Sequence, residues 1–290
     1  RGASLSIFKA TSVLKKLFLE QKFDMVQYST PNASYCAAIA AEKAGIPVRL
    51  YSQCGLVYIG FTGIKRSIFK KIEKITCEKS TVVEPVSQSN LDYSVEEGLY
   101  PASKAHVVGK GSSSGVDLEK FDISMKDAYR KEFRNKLSIP EHDLVYGFIG
   151  RLDCDKGINE LLRAYQQVMN EHTHLLMVGP EDKMDKLDQQ LYQWSLNEPS
   201  IIYTGFSSDT PQYLSCMDIF ILPSYREGFG SVVIEAEAMG VPVIVTDIPG
   251  PREAREDQKT GILVKKEDIA ELADAMKLLA NDKLTRERYG

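Results

Sequence analysis

An alternation governs what this chain can become: short, near-continuous Val/Ile/Leu runs closed by turn residues, with helix-periodic stretches between them. A strand that is apolar on both faces must be covered on both faces. A helix after each strand brings the chain back for parallel pairing. Strand runs fall at 24–29, 48–52, 81–86 and 106–109, then at 144–150, 174–178, 201–204, 219–222, 241–246 and 261–264. Helical periodicity fills 34–44, 68–78, 158–171, 210–216, 232–239 and 270–280. The pattern predicts an α/β fold of doubly wound parallel sheets, in two sets. The Ser-rich, charged stretch 111–132 between the sets reads as a linker. Domains are therefore expected over 1–115 and 116–290.

Length agrees, since 290 residues exceed one small core and suit two. The composition, 43% hydrophobic and 26% charged, excludes disordered, fibrous and disulfide-stapled classes. No run approaches the roughly 20 apolar residues of a membrane span. The opening RGASLSIFKATSVLKK has neither the apolar core nor the cleavage site of a signal peptide. The chain does not begin with Met and opens close to a helical pattern, as an interior piece of a longer protein would. Cys36, Cys54, Cys77, Cys154 and Cys216 are odd in number and form no CxxC pair, which predicts free thiols in a reducing compartment. His172 and His174 lack companion ligands and read as a loop running into a strand rather than a metal pair.

Net charge is −4, but it is divided unequally. Residues 1–115 carry 15 Lys and Arg against 9 Asp and Glu, whereas 116–290 carry 21 against 31. A basic half suits nucleic acid, an anionic membrane or a phosphorylated acceptor. With no recognition motif or aromatic platform, nucleic acid fits poorly. The stretch 65–79, KRSIFKKIEKITCEK, is a basic amphipathic helix. Its Ile68, Ile72 and Ile75 stripe, widened by Phe69, is expected to lie on the sheet. Lys65, Arg66, Lys70, Lys71 and Lys74 would then face anionic headgroups.

In open α/β sheets ligands bind beyond the carboxyl ends of the strands, so chemistry is sought there. After 144–150 comes GRLDCDKG, 150–157, with Arg151, Lys156 and a helix start around one loop. Two cations and a helix N-terminus make an anion site, and two charge-assisted bonds of about 1.5–3 kcal/mol each can hold a diphosphate. A solvated turn is the plainer alternative. Asp153 and Asp155 in the same loop can hold Mn²⁺ or Mg²⁺, although the flanking cations would do the same neutralising work. After 219–222 comes PSYREGFGSVVIEA, 223–236. Glu227 precedes a Gly228-Phe229-Gly230 turn, and Ser231 and Val232 open a helix that carries Glu235. Glycines let backbone N–H groups approach an anion. Glu235 can reach a ribose diol and Glu227 sugar hydroxyls. A buried helix carboxylate and an N-terminal cap are the bland readings, and neither explains why two carboxylates bracket a Gly-rich turn.

The Glu227–Glu235 spacing resembles the signature of retaining glycosyltransferases of the GT-B fold, two Rossmann-like domains facing a cleft. GRLDCDKG resembles their Arg/Lys diphosphate motif, GSSSGVDLEKF over 111–121 their hinge, and AMGVPVIVTDIPGPREA the stretch after the second Glu. Four motifs in this order are similar to glycosyltransferase family 4, in its branch for bacterial capsular and surface polysaccharides. The resemblance implies that Arg151, Lys156 and Glu227 are catalytic. It implies donor binding by those three with Gly228, Phe229, Gly230, Ser231, Val232 and Glu235. It also implies metal-independent hexosyl transfer, with no cofactor, from a nucleotide-sugar, a UDP-sugar first, to a saccharide acceptor that is lipid-linked. The enzyme would be cytoplasmic, at the inner face of the membrane as a peripheral protein. Compared with that family, the first domain reads as lacking its first strand and glycine-containing loop, and the second its last helices. Cys54 stands where many relatives carry His. The alternatives are a sugar-nucleotide epimerase, which would need acid/base groups and no acceptor, and a nucleotide-binding piece that transfers nothing. A phosphorylase would need a pyridoxal-phosphate lysine motif, and none stands out.

Overall fold

The structure, a computed structural model, describes residues 5–256 and 259–290. The first four residues of the opening stretch lie outside them. The chain forms two compact units: Arg1–Ser113 with Glu227–Phe229, and Ser114–Arg226 with Gly230–Gly290.

The first unit holds α1 (Leu5–Gln21), β1 (Met25–Tyr28), α2 (Pro31–Lys43), β2 (Val48–Gln53), α3 (Gly63–Lys79), β3 (Val82–Pro85) and α4 (Gln88–Glu96). Its three strands pair in parallel, in the order β1-β2-β3. The run at 106–109 does not make a strand. Only an isolated bridge joins Ala105 to Val83, with His106 N–H donating to the Val83 carbonyl at 2.9 Å. The expected stripe on α3 is also corrected. Phe69 packs against the core as expected and Ile72 and Ile75 are half-buried, but the fully buried face is Glu73, Thr76 and Cys77, while Ile64 is 81% and Ile68 52% exposed. Hydrogen bonding turns the helix this way. Tyr51 Oη and Gln53 Nε2 donate to Glu73 Oε1 at 2.9 and 2.7 Å, and Tyr100 Oη donates to Gln53 Oε1 at 2.8 Å. A satisfied polar network competes with an apolar stripe for the interior. Burial pushes the Glu73 carboxyl above its ordinary range.

The second unit holds α5 (Lys126–Lys136), β4 (Leu144–Ile149), α6 (Ile158–Val168), β5 (Thr173–Val178), α7 (Gln189–Asn197), β6 (Ile201–Gly205), α8 (Thr210–Cys216), β7 (Ile219–Leu222), α9 (Ser231–Ala238), β8 (Val243–Thr246), β9 (Gly261–Val264), α10 (Ile269–Asn281) and α11 (Lys283–Tyr289). Its sheet is parallel throughout, in the order β6-β5-β4-β7-β8-β9. Every residue of β7 and β8 is buried, as a doubly covered sheet requires. α6 packs against α7 and α10, and α8 against α5 and α9. The expected linker is corrected here, because α5 begins inside it at Lys126. α6 stops at Val168, three residues short of the expected end.

Beneath this sheet lies Arg134, only 1% exposed. Its guanidinium donates to the carbonyls of Cys216, Pro140, Glu141 and Asp143 and pairs with Asp218 at 2.8 Å. Asp218 also accepts from the Val145 N–H at 2.8 Å and pairs with Arg130 at 2.9 Å. α5 is thereby fixed to the starts of β4 and β7. Nearby, His172 Nδ1 and His174 Nε2 both approach the Asp143 carboxylate, at 3.2 and 2.9 Å. Replacing Arg134 with Leu leaves Asp218 and four carbonyls short of a donor. A loss of about 3 kcal/mol in urea unfolding is expected, as for other broken buried pairs.

Candidate functional site

In the second unit strand order reverses between β4 and β7: β5 and β6 lie to one side, β8 and β9 to the other. The crevice beyond such a switch point is where an open sheet accommodates a ligand. The loops after β4 and β7 flank it, and both predicted motifs lie on them.

The loop after β4 turns into α6 through Gly157, at φ 70°. A Cβ there would lie 2.1 Å from the Pro223 carbonyl oxygen. The loops after β4 and β7 therefore touch backbone to backbone, where only glycine fits. Asp153 caps this turn, its Oδ1 accepting from the Lys156 N–H at 3.1 Å. Arg151 lies exposed on the same loop. Its Nη1 is 2.6 Å from Asp182 Oδ2 and 3.0 Å from Asp153 Oδ2, the first contact a hydrogen bond and the second an ion pair without hydrogen-bond geometry. Lys156 is half-buried, two residues ahead of α6. Asp155 Oδ2 receives both Nε and Nη2 of Arg226, at 3.2 and 2.7 Å. Each acid of the Asp153-x-Asp155 triplet thus has a partner in the protein. Among the described residues no group of three or more His, Cys, Asp or Glu side chains gathers as a metal site.

The loop after β7 enters α9 through Gly230, at φ 86°. α6 and α9 have no side-chain cap, a lack shared with α5 and α8, but they alone among these open through a left-handed glycine; α7, α10 and α11 are each capped by an Asp. An uncapped first turn leaves N–H donors and the positive end of the helix dipole for an anion. Ser231 and Val232 are the first residues of α9, and Glu235 stands one turn on, half-buried. Burial raises the Glu235 carboxyl, with Lys120 opposing. Arg151, Lys156, Gly230, Ser231, Val232 and Glu235 all belong to the second unit, on or just after the two loops that flank the switch point. Glu227, Gly228 and Phe229 group with the first unit, where Phe229 is buried and Asn90 Nδ2 donates to the Gly228 carbonyl at 2.5 Å.

Sequence reasoning missed Asp182 and Arg226. Arg226 stands directly before Glu227, and Asp182 lies in the loop after β5, beside the switch point. A search for charges just beyond strand ends would have found both.

The family described as "Glycosyl transferases group 1" matches residues 129–290, and "Glycosyl transferase 4-like" matches 1–87. The capsular polysaccharide biosynthesis glycosyltransferase CapM of Staphylococcus aureus is 31% identical over 99% of this chain and 75% of its own. The Escherichia coli UDP-Gal:alpha-D-GlcNAc-diphosphoundecaprenol alpha-1,3-galactosyltransferase is 25% identical over 95% of this chain and 71% of its own. Among solved structures, Anabaena HepE in complex with UDP has a TM-score of 0.80, with 20% identity over 96% of this chain and 74% of that one.

α9 also generates a pH prediction. Burial raises Glu237 from its ordinary 4.5 up to about 7, with a Thr260 hydrogen bond and Arg255 opposing. A raised acid costs stability as pH climbs from its unfolded to its folded value. Glu237→Gln should therefore stabilise the protein by roughly 1–2 kcal/mol at pH 8 and by nothing at pH 4, read by urea melts at the two pH values.

Proposed function

Because the chain belongs to the glycosyl transferases group 1 family, we propose that it moves a hexose from a UDP-sugar to a lipid-linked saccharide, without a metal and with retention at the anomeric carbon. The two-sheet α/β architecture is that of the GT-B fold, and the activity class is glycosyl transfer. One observation carries the donor assignment: α6 and α9 open through left-handed glycines, Gly157 and Gly230, on the two loops that flank the switch point, and the first of these loops carries Arg151 and Lys156. That arrangement suits a diphosphate.

The chemistry follows from charge. Breaking the bond to the anomeric carbon leaves a nucleoside diphosphate on which negative charge grows. Fixed cations and amides stabilise that charge without reorganising. Lys156 and the amides of Ser231 and Val232 supply them. Arg151 joins by exchanging Asp182 for phosphate oxygens. Glu235 binds the ribose diol, and Glu227, with the Gly228–Gly230 backbone, the sugar. Retention rests on the likeness of 227–235 to the retaining enzymes' signature. Attack on the face that the leaving group vacates needs no protein nucleophile. UDP as the carrier, and an acceptor on a lipid diphosphate, are supported by what the Escherichia coli relative is named for.

The acceptor's lipid places the enzyme at the cytoplasmic face of a membrane in this reading. α3 supports it. Ile64 and Ile68 project outward among exposed Lys65, Lys71 and Lys74, and Lys65 sits over the Phe61 ring at 3.8 Å. Arg66 and Lys70 turn away to pair with Glu97 at 2.9 and 2.7 Å. No helix among the described residues is long and apolar enough to cross a membrane. An outward apolar row with basic flanks suits a surface of anionic headgroups.

Thermal melting with UDP, GDP, ADP and their sugar conjugates tests the donor assignment. UDP should raise the melting temperature, with or without EDTA. A rise that EDTA abolishes would return Asp153 and Asp155 to a metal. No rise with any nucleotide would defeat the reading. Lys156→Ala should cut turnover more than UDP binding, and a turnover within about threefold of wild type would contradict its role. In sedimentation with phosphatidylglycerol vesicles, exchanging Lys65, Lys71 and Lys74 for Gln should cost about 1 kcal/mol of binding per charge. Ile64→Glu with Ile68→Glu should abolish whatever binding remains.

A further inference from the structure

We propose that Asp155 and Arg226 are positioning residues for sugar transfer: their ion pair latches the loop after β4 to the loop leading into α9, so that Lys156 and the first amides of α9 keep one geometry. The inference rests on the donor reading above and gives a task to residues which that reading leaves idle. Three observations converge on this seam. Arg226 places Nε and Nη2 on one oxygen, Asp155 Oδ2, at 3.2 and 2.7 Å. The Tyr225 N–H donates to the Asp155 carbonyl at 2.8 Å, so side chain and backbone of both residues' neighbourhoods are tied together. Two residues on, the Gly157 Cα meets the Pro223 carbonyl so closely that a Cβ would fall 2.1 Å from its oxygen.

Such a pair is not placed there for stability. Both side chains are about one-third exposed, at 30% and 32%, and exposed pairs contribute little to folding. Its location is what matters. Asp155 is the residue before Lys156, and Arg226 closes the segment that follows β7. A cation and a set of amides that must meet one diphosphate lose catalytic value when their separation drifts by even about 1 Å. Each loop alone is a short turn on a different strand. The latch makes their separation a property of the fold. It also explains the acidic triplet without a cation, since Asp155 is spent on Arg226 and Asp153 on the turn amide of Lys156.

The test uses wild type, Arg226→Gln, Arg226→Lys, Asp155→Asn and the Asp155→Asn/Arg226→Gln double variant. Amide hydrogen exchange over 151–157 is measured without nucleotide, and UDP affinity by calorimetry. A latch predicts exchange over 151–157 about fivefold faster in each glutamine or asparagine variant, with UDP affinity reduced about fivefold. Melting temperatures should stay within about 2 °C of wild type. Arg226→Lys should recover part of the affinity, and the double variant should be no worse than either single one, as partners in one interaction behave. Unchanged exchange, or losses that add in the double variant, would overturn the latch. If wild type itself binds no UDP, the donor reading fails, while the exchange data still decide whether the loops are latched.

Discussion

Two backbones touching is the constraint on which the proposed donor site depends. β4 and β7 are neighbours only because strand order reverses between them. The loops that leave them run so close that Gly157 can carry no side chain. From that contact the rest follows. α6 and α9 start on either side of it, both through glycines in the left-handed region and both without a side-chain cap. Their first-turn donors and dipoles open from the two loops that flank the switch point, and Arg151 and Lys156 lie on the first of these loops. A site of this kind recruits an anion from backbone geometry first and from side chains second.

The opposite end of the same sheet is built to different rules. There the polar groups bind one another within the protein, with Arg134 donating to four carbonyls and Asp218 bridging Arg134, Arg130 and the Val145 amide. A floor tied together by its own hydrogen bonds holds strand starts still. A rim that leaves helix termini open can exchange partners with a ligand. Arg151 shows how this works, since its guanidinium is held by Asp182 and Asp153 at the surface. In the proposed reading it is oriented by these carboxylates before a phosphate displaces them.

What was legible in the sequence tracks the physics of each signal. The parallel sheet strands announced themselves through doubly apolar runs, so 144–150, 219–222 and 261–264 fall within a residue of β4, β7 and β9. Both donor loops were legible because glycines and charges after a strand have few other uses. The stripe on α3 was only partly legible, with Phe69 inward but Ile68 outward, because periodicity reports which face is apolar, not how far it turns inward. Glu73 is drawn inward by accepting hydrogen bonds from Tyr51 and Gln53, residues twenty or more positions away. α5 was hidden by its composition, since a helix held by buried Arg134 looks like a charged linker. The Asp155–Arg226 pair joins residues 71 positions apart, and nothing local to either marks it.

The central claim is that a nucleoside diphosphate is held at the β4–β7 switch point by open helix ends and two cations, with no metal between. A crystal structure of this chain with UDP, grown in EDTA, tests it most directly. The account predicts phosphate oxygens on the Ser231 and Val232 amides, within hydrogen-bond reach of Lys156 and Arg151, with Arg151 turned away from Asp182. A diphosphate bound elsewhere on the chain, or one that binds only when a divalent cation bridges it to Asp153 and Asp155, would contradict it.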